Sequence, residues 1–538
     1  MATSPEVQEI RDAIRTGDIQ SFMSILTLNP HLINFKLFRG DTLMHEAASS
    51  GQSFIVEELI RLGSVDLDTP NEYGWTPLYV AAKCGHALTI ETFVRLGSTS
   101  IDIPDNGGWT PLNIAARKGH VSTIKTLVRL GSTAMDTPNI EGRTPMFAAA
   151  EKGHTSAIKT LVQLGSIAIN TPNVEGRTPM HAAAEKGHIL AIETLVQLGT
   201  TAIDTPDNDG WTPMHAAAQN GNVSMIETLV RLGSTSIDVR NKQGVTPLHL
   251  AALDNNVSVI ETLVRLGSKT IDTPDNDGDV PIGFAASNGS DSAIEALVRL
   301  GSTTIDVYNN DGWTPMHEAA RNEHVSVIKT LVRLGSTTID TPEKHGWTPL
   351  SLAALQGHDA IIEALVRLGS NAIDTSNKNG VTPIHAAAYH GHTSVIETLV
   401  RLKSVAIDTP DKYGWTPMFA AASNGFASTI ETLVRLKSSA IDTPNNLGWT
   451  PMYAAAHFNN ALCFKTLKML GADLSTTRRE GVENTILEHL DDPIDEEESF
   501  ELRYRVYFNQ ALTALLLEEL DLHDRRTTAT KHVQPQFN

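Results

Sequence analysis

Thirteen glycines, Gly40, Gly74, Gly108, Gly142, Gly176, Gly210, Gly244, Gly278, Gly312, Gly346, Gly380, Gly414 and Gly448, stand 34 residues apart without a slip. A period this short settles the architecture first, because each unit must repeat one local solution and bury its apolar side against its neighbours. The unit from Gly312 reads Gly-Trp-Thr-Pro-Met-His-Glu-Ala-Ala-Arg-Asn-Glu-His-Val-Ser-Val-Ile-Lys-Thr-Leu-Val-Arg-Leu-Gly-Ser-Thr-Thr-Ile-Asp-Thr-Pro. Its glycine permits a positive φ in a tight turn. Thr314 offers an N-cap hydroxyl, and Pro315 takes the first helical position, where a missing N–H costs nothing.

The Ala-rich stretch that follows predicts a first helix of about two turns, closed in most units by a left-handed glycine such as Gly85, Gly119, Gly153, Gly187 or Gly221. A second helix is expected on the apolar stripe Val325, Ile328, Leu331 and Val332, ending at Gly335. On its outer face Glu91 and Arg95, or Glu261 and Arg265, lie four apart and are expected to pair for roughly 0.2 to 0.5 kcal/mol. Helices this short do not persist alone in water. They must stack, giving an all-α solenoid with stability summed over units and joints, and about fourteen units would make a rod roughly 140 Å long.

Thr-Pro-Leu-His-Leu-Ala-Ala at 246 to 252, with Gly-His closing the first helix in many other units, resembles the ankyrin repeat. The resemblance covers about residues 6 to 490. It implies an all-α fold with short β-turn fingers, an ankyrin-type α-solenoid of about 13–14 helix-turn-helix repeats. It also implies protein binding through the fingers and the concave face of the first helices.

The chain departs from the family's wording in three places. Its period is 34 where 33 is usual, and the extra residue falls in the Gly-Ser-Thr-Thr-Ile-Asp segment, where a recurring apolar residue (Ile101, Met135, Ile169 and their equivalents) is expected to tuck the loop onto the stack. The unit from Gly278 reads Asp-Val-Pro-Ile-Gly-Phe and loses the Thr cap, the His and the Gly-His close, which predicts a weak joint near 278 to 290. Glu323 stands where a helix-ending glycine is expected, at a cost of about 1 kcal/mol if the left-handed backbone is kept.

Four segments are expected: 1–39 as a degenerate N-terminal capping repeat, 40–480 as the array, 481–523 as a C-terminal cap with an acidic and helical extension, and 524–538 as a polar tail. Seven acidic residues lie between Asp491 and Glu501, and a Leu-rich helix is expected at about 500 to 522.

All seven tryptophans, Trp75, Trp109, Trp211, Trp313, Trp347, Trp415 and Trp449, follow a repeat glycine, and Arg143 and Arg177 hold the same position in two other units. By the resemblance this position is exposed and faces the ligand groove, so Trp and Arg there are candidate partner-binding anchors. The competing role is packing, each indole lying flat on a neighbouring finger's proline. The histidine four residues further on is expected to bond the nearby Thr. His385, His390 and His392 recur as ordinary repeat letters, so neither a zinc site nor any other cofactor is expected. Cys84 reads as a small buried hydrophobe.

A charge of −20 repels phosphate backbones and anionic lipid heads, and no apolar run is long enough to cross a bilayer, so neither nucleic acid nor membrane insertion is expected. Two distant cysteines and an N-terminus without a basic and apolar leader point to the cytoplasm. No phosphate-cradling loop, nucleophile elbow or Cys-x-x-Cys motif occurs. The expectation is a non-catalytic, monomeric scaffold binding partner proteins. The alternative is an adaptor or bacterial effector delivered into a host cell, whose C-terminal segment recruits an enzyme or carries a secretion signal.

Overall fold

The computed structural model describes residues 5–473. These residues belong to one compact unit, Met1–Thr476. The expectations for 481–538, with the acidic strip, the Leu-rich helix and the effector alternative that rests on them, fall outside the described residues.

Twenty-eight α-helices follow one another as antiparallel pairs, with no strand among the described residues. The first pair, Pro5–Thr16 and Ile19–Leu28, buries Val7, Ile10, Ala13, Ile14, Phe22 and Leu26, and the Asp18 side chain caps its second helix. Thirteen repeat units follow. In each, the first helix is seven or eight residues and the second nine, as in Pro77–Cys84 with Ala87–Arg95, down to Pro451–His457 with Ala461–Met469.

Local chemistry builds each unit as its sequence demands. The repeat glycines all sit at positive φ, from 77° at Gly40 to 91° at Gly346. Thr76 accepts from the Tyr79 amide and Pro77 opens the helix. Gly85 closes it at φ 85°. Glu323 keeps the left-handed backbone at φ 63°, as do Asn255 and Asn459 at the same repeat position. In the helix Val325–Arg333 the buried stripe is Val327, Ile328, Thr330 and Leu331, so Val325 and Val332 lie at its half-buried margin.

Three recurring sets of hydrogen bonds are among those that join consecutive units. At the fingers, each turn closes on itself (Gly74 N to Asn71 O, 2.9 Å) and donates to the one before it (Asn106 N to Tyr73 O, 3.0 Å; Asn208 N to Glu175 O, 2.9 Å). In the lengthened loop, a short 3₁₀ turn such as Ala134–Asp136 presents an aspartate to the next unit. Asp102, for example, accepts from Ser132 Oγ and from the Thr133 amide at 2.7 Å. The loop inserts a small residue, Ser100, Ala134 or Ala168, into the core, while the neighbouring Ile101, Met135 and Ile169 are only half-buried. Finally, the histidine after the first helix reaches back one unit to an otherwise orphaned helix-end carbonyl: His86 Nε2 to Ser49 O at 3.0 Å, His120 to Lys83 O at 3.1 Å, His358 to Arg321 O at 2.9 Å. That bond is the physical reason for the Gly-His wording, since a helix end leaves carbonyls without partners.

The expected pairing along the second helix is overturned. Arg95 bonds Glu57 and Arg129 bonds Glu91, both in the preceding unit, and Arg265 reaches Glu227 at 2.6 Å while Arg299 reaches Glu261 at 2.6 Å. Stacked second helices place that glutamate as close as the one a turn away. Arg61 and Arg367 pair inside their own helices, with Glu58 and Glu363; Lys329 stands where Arg367 would otherwise find a carboxylate.

Candidate binding face

Three positions of each unit share one side: the finger residue, the residue four further on in the first turn of helix one, and the residue eight further on at its end. They stack. Lys83 Nζ lies 3.4 Å from the centre of the Trp75 ring, on which Tyr73 and Tyr79 also stack at 4.9 and 5.9 Å. The Arg117 guanidinium covers Trp109 at 4.8 Å and that of Arg321 covers Trp313 at 5.1 Å. Trp211 tilts onto His215 at 5.6 Å, Trp415 onto Phe419 at 4.8 Å, and Trp449 contacts both Tyr453 and His457. The finger position is therefore not the exposed one expected: Trp313 and Trp415 are 7% and 9% exposed and Trp75, Trp109, Trp211, Trp347 and Trp449 are half-buried. Each of these stacked indoles rests on its own first helix, because one helical turn brings positions four and eight beneath it.

Arg143 and Arg177 fold back the same way. Arg143 lies 3.3 Å from Glu151, and Arg177 lies 3.1 Å from Glu185 and 3.5 Å from Asp207. Asp207 belongs to the next finger, and the same cross-finger site, 30 residues on, answers the finger residue elsewhere. Asp105 accepts from Trp75 Nε1 at 3.3 Å, and Asn309 donates to Asp279 at 2.9 Å. Where the finger residue is Val245, it offers its counterpart Asp275 no polar side chain, although Asp275 Oδ1 accepts from the Asp277 and Asp279 amides of its own turn; burial, with Asp279 adding repulsion, pushes its carboxyl up to about 6. Burial likewise raises Asp411, opposite Val381.

The histidines of the first turn bond the nearby Thr, as expected. Thr178 N donates to His181 Nδ1 at 3.1 Å, which leaves the proton on Nε2 to donate to Trp211 O at 2.9 Å, across the joint. His45, His215, His249 and His317 repeat the bridge. Burial holds His215, His249 and His317 at about 4, so these rings stay neutral structural links. His385 is the exception: its Nδ1 is buried without a hydrogen-bond partner among the described residues. His390 and His392 stack on each other at 6.0 Å, and no group of three or more His, Cys, Asp or Glu among the described residues could hold a metal ion. Cys84, expected inside, is exposed beside Lys83; Cys463 is the buried one.

Sequence reasoning missed Lys83, Arg117, Arg321 and His457, the residues on which the tryptophans lie. The signal was present as a spacing of eight after each Trp.

Fingers joined edge to edge over paired helices define a helix-turn-helix solenoid of interaction-module type. A family model for ankyrin repeats (3 copies) matches residues 11–103, 44–136, 130–205, 197–277, 266–343, 335–409 and 401–478, and the chain belongs to the ankyrin repeat family. Arrays of this family are generally protein-interaction modules and typically non-catalytic. A search of curated proteins finds no match. No helix among the described residues is long and apolar enough to cross a membrane.

Proposed function

We propose that the chain is a non-catalytic scaffold that works as a monomer in the cytoplasm and docks partner proteins on its fingers and the concave face of its first helices. One observation carries this reading. The second helix repeats nearly the same Thr-Leu-Val-Arg-Leu in unit after unit, whereas the finger position runs through Trp, Arg, Val and Asp and the helix-one end through Lys, Arg, Glu, Gln, Leu, Ser, Tyr and His. The repeated letters serve packing, and chemical variety is spent on one face. In this reading residues 1–39 act as a cap and 40–480 as the binding array. Trp75, Trp109, Arg143, Arg177, Trp211, Trp313, Trp347, Trp415 and Trp449 serve as anchors already held in place by the residues beneath them, which lowers the entropy lost on binding.

The test is affinity purification of partners with mass spectrometry, repeated with Trp347→Ala and Tyr389→Ala on the first-helix face and with Arg299→Ala and Arg333→Ala on the second-helix face. Partner loss with the first pair alone supports the reading; loss with the second pair alone overturns it.

A further inference from the structure

We propose that the first-helix face around Lys83, Arg117 and Lys118 is the docking site for an acidic, extended peptide segment of a partner protein. The inference rests on the scaffold reading and names the chemistry that one section of it selects.

Elsewhere on this face, cations are answered by their own units. Arg143 and Arg177 are neutralised by Glu151 and Glu185, and Lys186 lies 2.8 Å from Glu185. Lys83, Arg117 and Lys118 form no ion pair among the described residues, although the chain carries 62 acidic against 42 basic side chains. Asp105, one of the carboxylates whose charge acts on Lys83, is already committed. Its Oδ1 accepts from the Gly107 and Trp109 amides, and its Oδ2 from Trp75 Nε1 and the Tyr79 hydroxyl.

Two of the three cations are held in place beforehand. Lys83 and Arg117 lie on the faces of Trp75 and Trp109, so their side chains lose little further freedom when a carboxylate arrives. Burial lowers the Lys83 ammonium and the Lys118 charge adds to this, so the lysines of adjacent units feel one another, while Cys84, Asp105 and Asp41 pull the other way. A carboxylate placed between them relieves that repulsion. Units stacked at helix-diameter spacing, roughly 10 Å, suit an extended chain with acidic side chains a few residues apart. A nucleic acid is the poorer fit, because the indole faces that would stack bases are covered by the protein's own cations and the net charge repels a long polyanion.

The experiment uses the full chain and a short fluorescein-labelled peptide of alternating Glu and Ala, followed by anisotropy, with the Gln–Ala peptide and oligouridylate as comparisons. Maleimide labelling of the exposed Cys84 reports where the peptide sits, since Cys463 is buried. The expected result is binding of the acidic peptide that weakens with salt, slows Cys84 labelling, and falls roughly tenfold or more in the triple variant Lys83→Gln, Arg117→Gln, Lys118→Gln. The exposed single change Lys118→Glu, which leaves both indole stacks intact, is expected to weaken it several-fold. No binding of the acidic peptide, equal affinity in these variants, equal binding of the Gln–Ala peptide, or tighter binding of oligouridylate overturns the proposal. If the peptide fails while Trp347→Ala and Tyr389→Ala still release a partner, this site falls and the scaffold reading stands.

Discussion

Two joints of the array fail in opposite ways. At 278 to 290, where the unit loses its Thr cap and its histidine, the loss is of volume. Gly283 lines a small solvent-open cleft bordered by Asp279, Val307, Trp313 and Glu318. Its polar links are rebuilt from other letters: Ser290 Oγ donates to the Leu253 carbonyl at 2.7 Å in place of a histidine, Asn288 does so at 2.8 Å, and the Phe284 ring sits edge-on to His249 at 4.9 Å. At 385 to 426 the wording looks regular, yet Phe426 occupies the place of the carbonyl-seeking histidine, and His385 Nδ1 and His390 Nε2 are buried without partners among the described residues. A small void costs contacts, whereas each unanswered buried polar atom costs about 1 to 3 kcal/mol. The joint that reads as weak is thus the better satisfied, and the one that reads as sound carries the strain.

Acid separates the two joints most strongly. His385 and His390 are held at about 4 by burial, the His392 ring adding to the shift at His390. An unfolded histidine takes its proton near 6.5, so between 6.5 and 4 the unfolded chain binds more protons. Stability present above 6.5 is lost as the pH falls, up to about 3 kcal/mol per histidine. The other joint has one such ring, His249, and its Asp275 has the opposite sign: with a carboxyl raised to about 6, it is destabilising when ionised at neutral pH and is relieved on protonation. Hydrogen exchange at pH 7 and pH 5 should show protection falling first at 385–426; earlier loss at 278–290 would reverse the comparison. Below about pH 4 a second loss is expected from Asp68, Asp204, Asp272 and Asp306. Burial works against their ionised form, but bonds from the next unit's hydroxyls and amides outweigh it and hold them low.

Replacing a bridging histidine comes next in size. His317→Ala strips partners from Thr314 N and Trp347 O, whereas His385→Ala removes an atom that had none, so urea denaturation should find His317→Ala about 2 kcal/mol the more costly. Equal losses would mean that His385 contributes as a bridge after all. Phe426→His should return a donor to the Tyr389 carbonyl and raise stability by about 1 kcal/mol, read as a higher thermal midpoint. Asp275→Asn, giving this finger the residue found at Asn241 and Asn309, should stabilise by about 1 kcal/mol at pH 7 after allowance for solvent screening, and by nothing near pH 4. Smallest is Val280→Thr, which should regain a cap worth about 0.5 to 1 kcal/mol in the same assay.

What was legible in the sequence was whatever depends on residues close in the chain. Glycines at positive φ, Thr-Pro starts and helix ends follow from a few neighbouring letters, and the left-handed Glu323 follows from its register. What escaped depends on the neighbouring unit. Glu91 satisfies a rule for pairing within a helix and a rule for pairing between units with the same letters, and only stacking decides. The tryptophans read as exposed because family wording places them at a fingertip, but the turn of helix beneath them supplies Lys83, Arg117 and Arg321 to lie on. Cys84 is the last residue of its helix and is exposed there, whereas Leu78 and Ala81 earlier in the same helix are buried. The joint at 385 to 426 was hidden because His385 has the right identity but leaves its Nδ1 without a partner among the described residues, while Thr382 Oγ1 accepts from the His385 amide instead.

The cross-unit pairs on the second helices carry one more consequence. From Glu193 to Arg333 the rungs repeat unbroken, with Glu227, Glu261 and Glu295 each meeting the arginine 38 residues on. Where Lys125 and Lys159 replace the glutamate, Gln163 and Gln197 replace the arginine, so no cation faces another there, whereas Lys329 stands opposite Arg367, which turns to Glu363 in its own helix. A block of 34 residues can therefore be excised or duplicated inside the first stretch and every seam closes on the same chemistry. A cut that seats Arg231 beside Lys159 sets like charges together. The molecule has interchangeable lengths in its middle and keyed segments at one flank, and edits to its size are tolerated according to which seam they create.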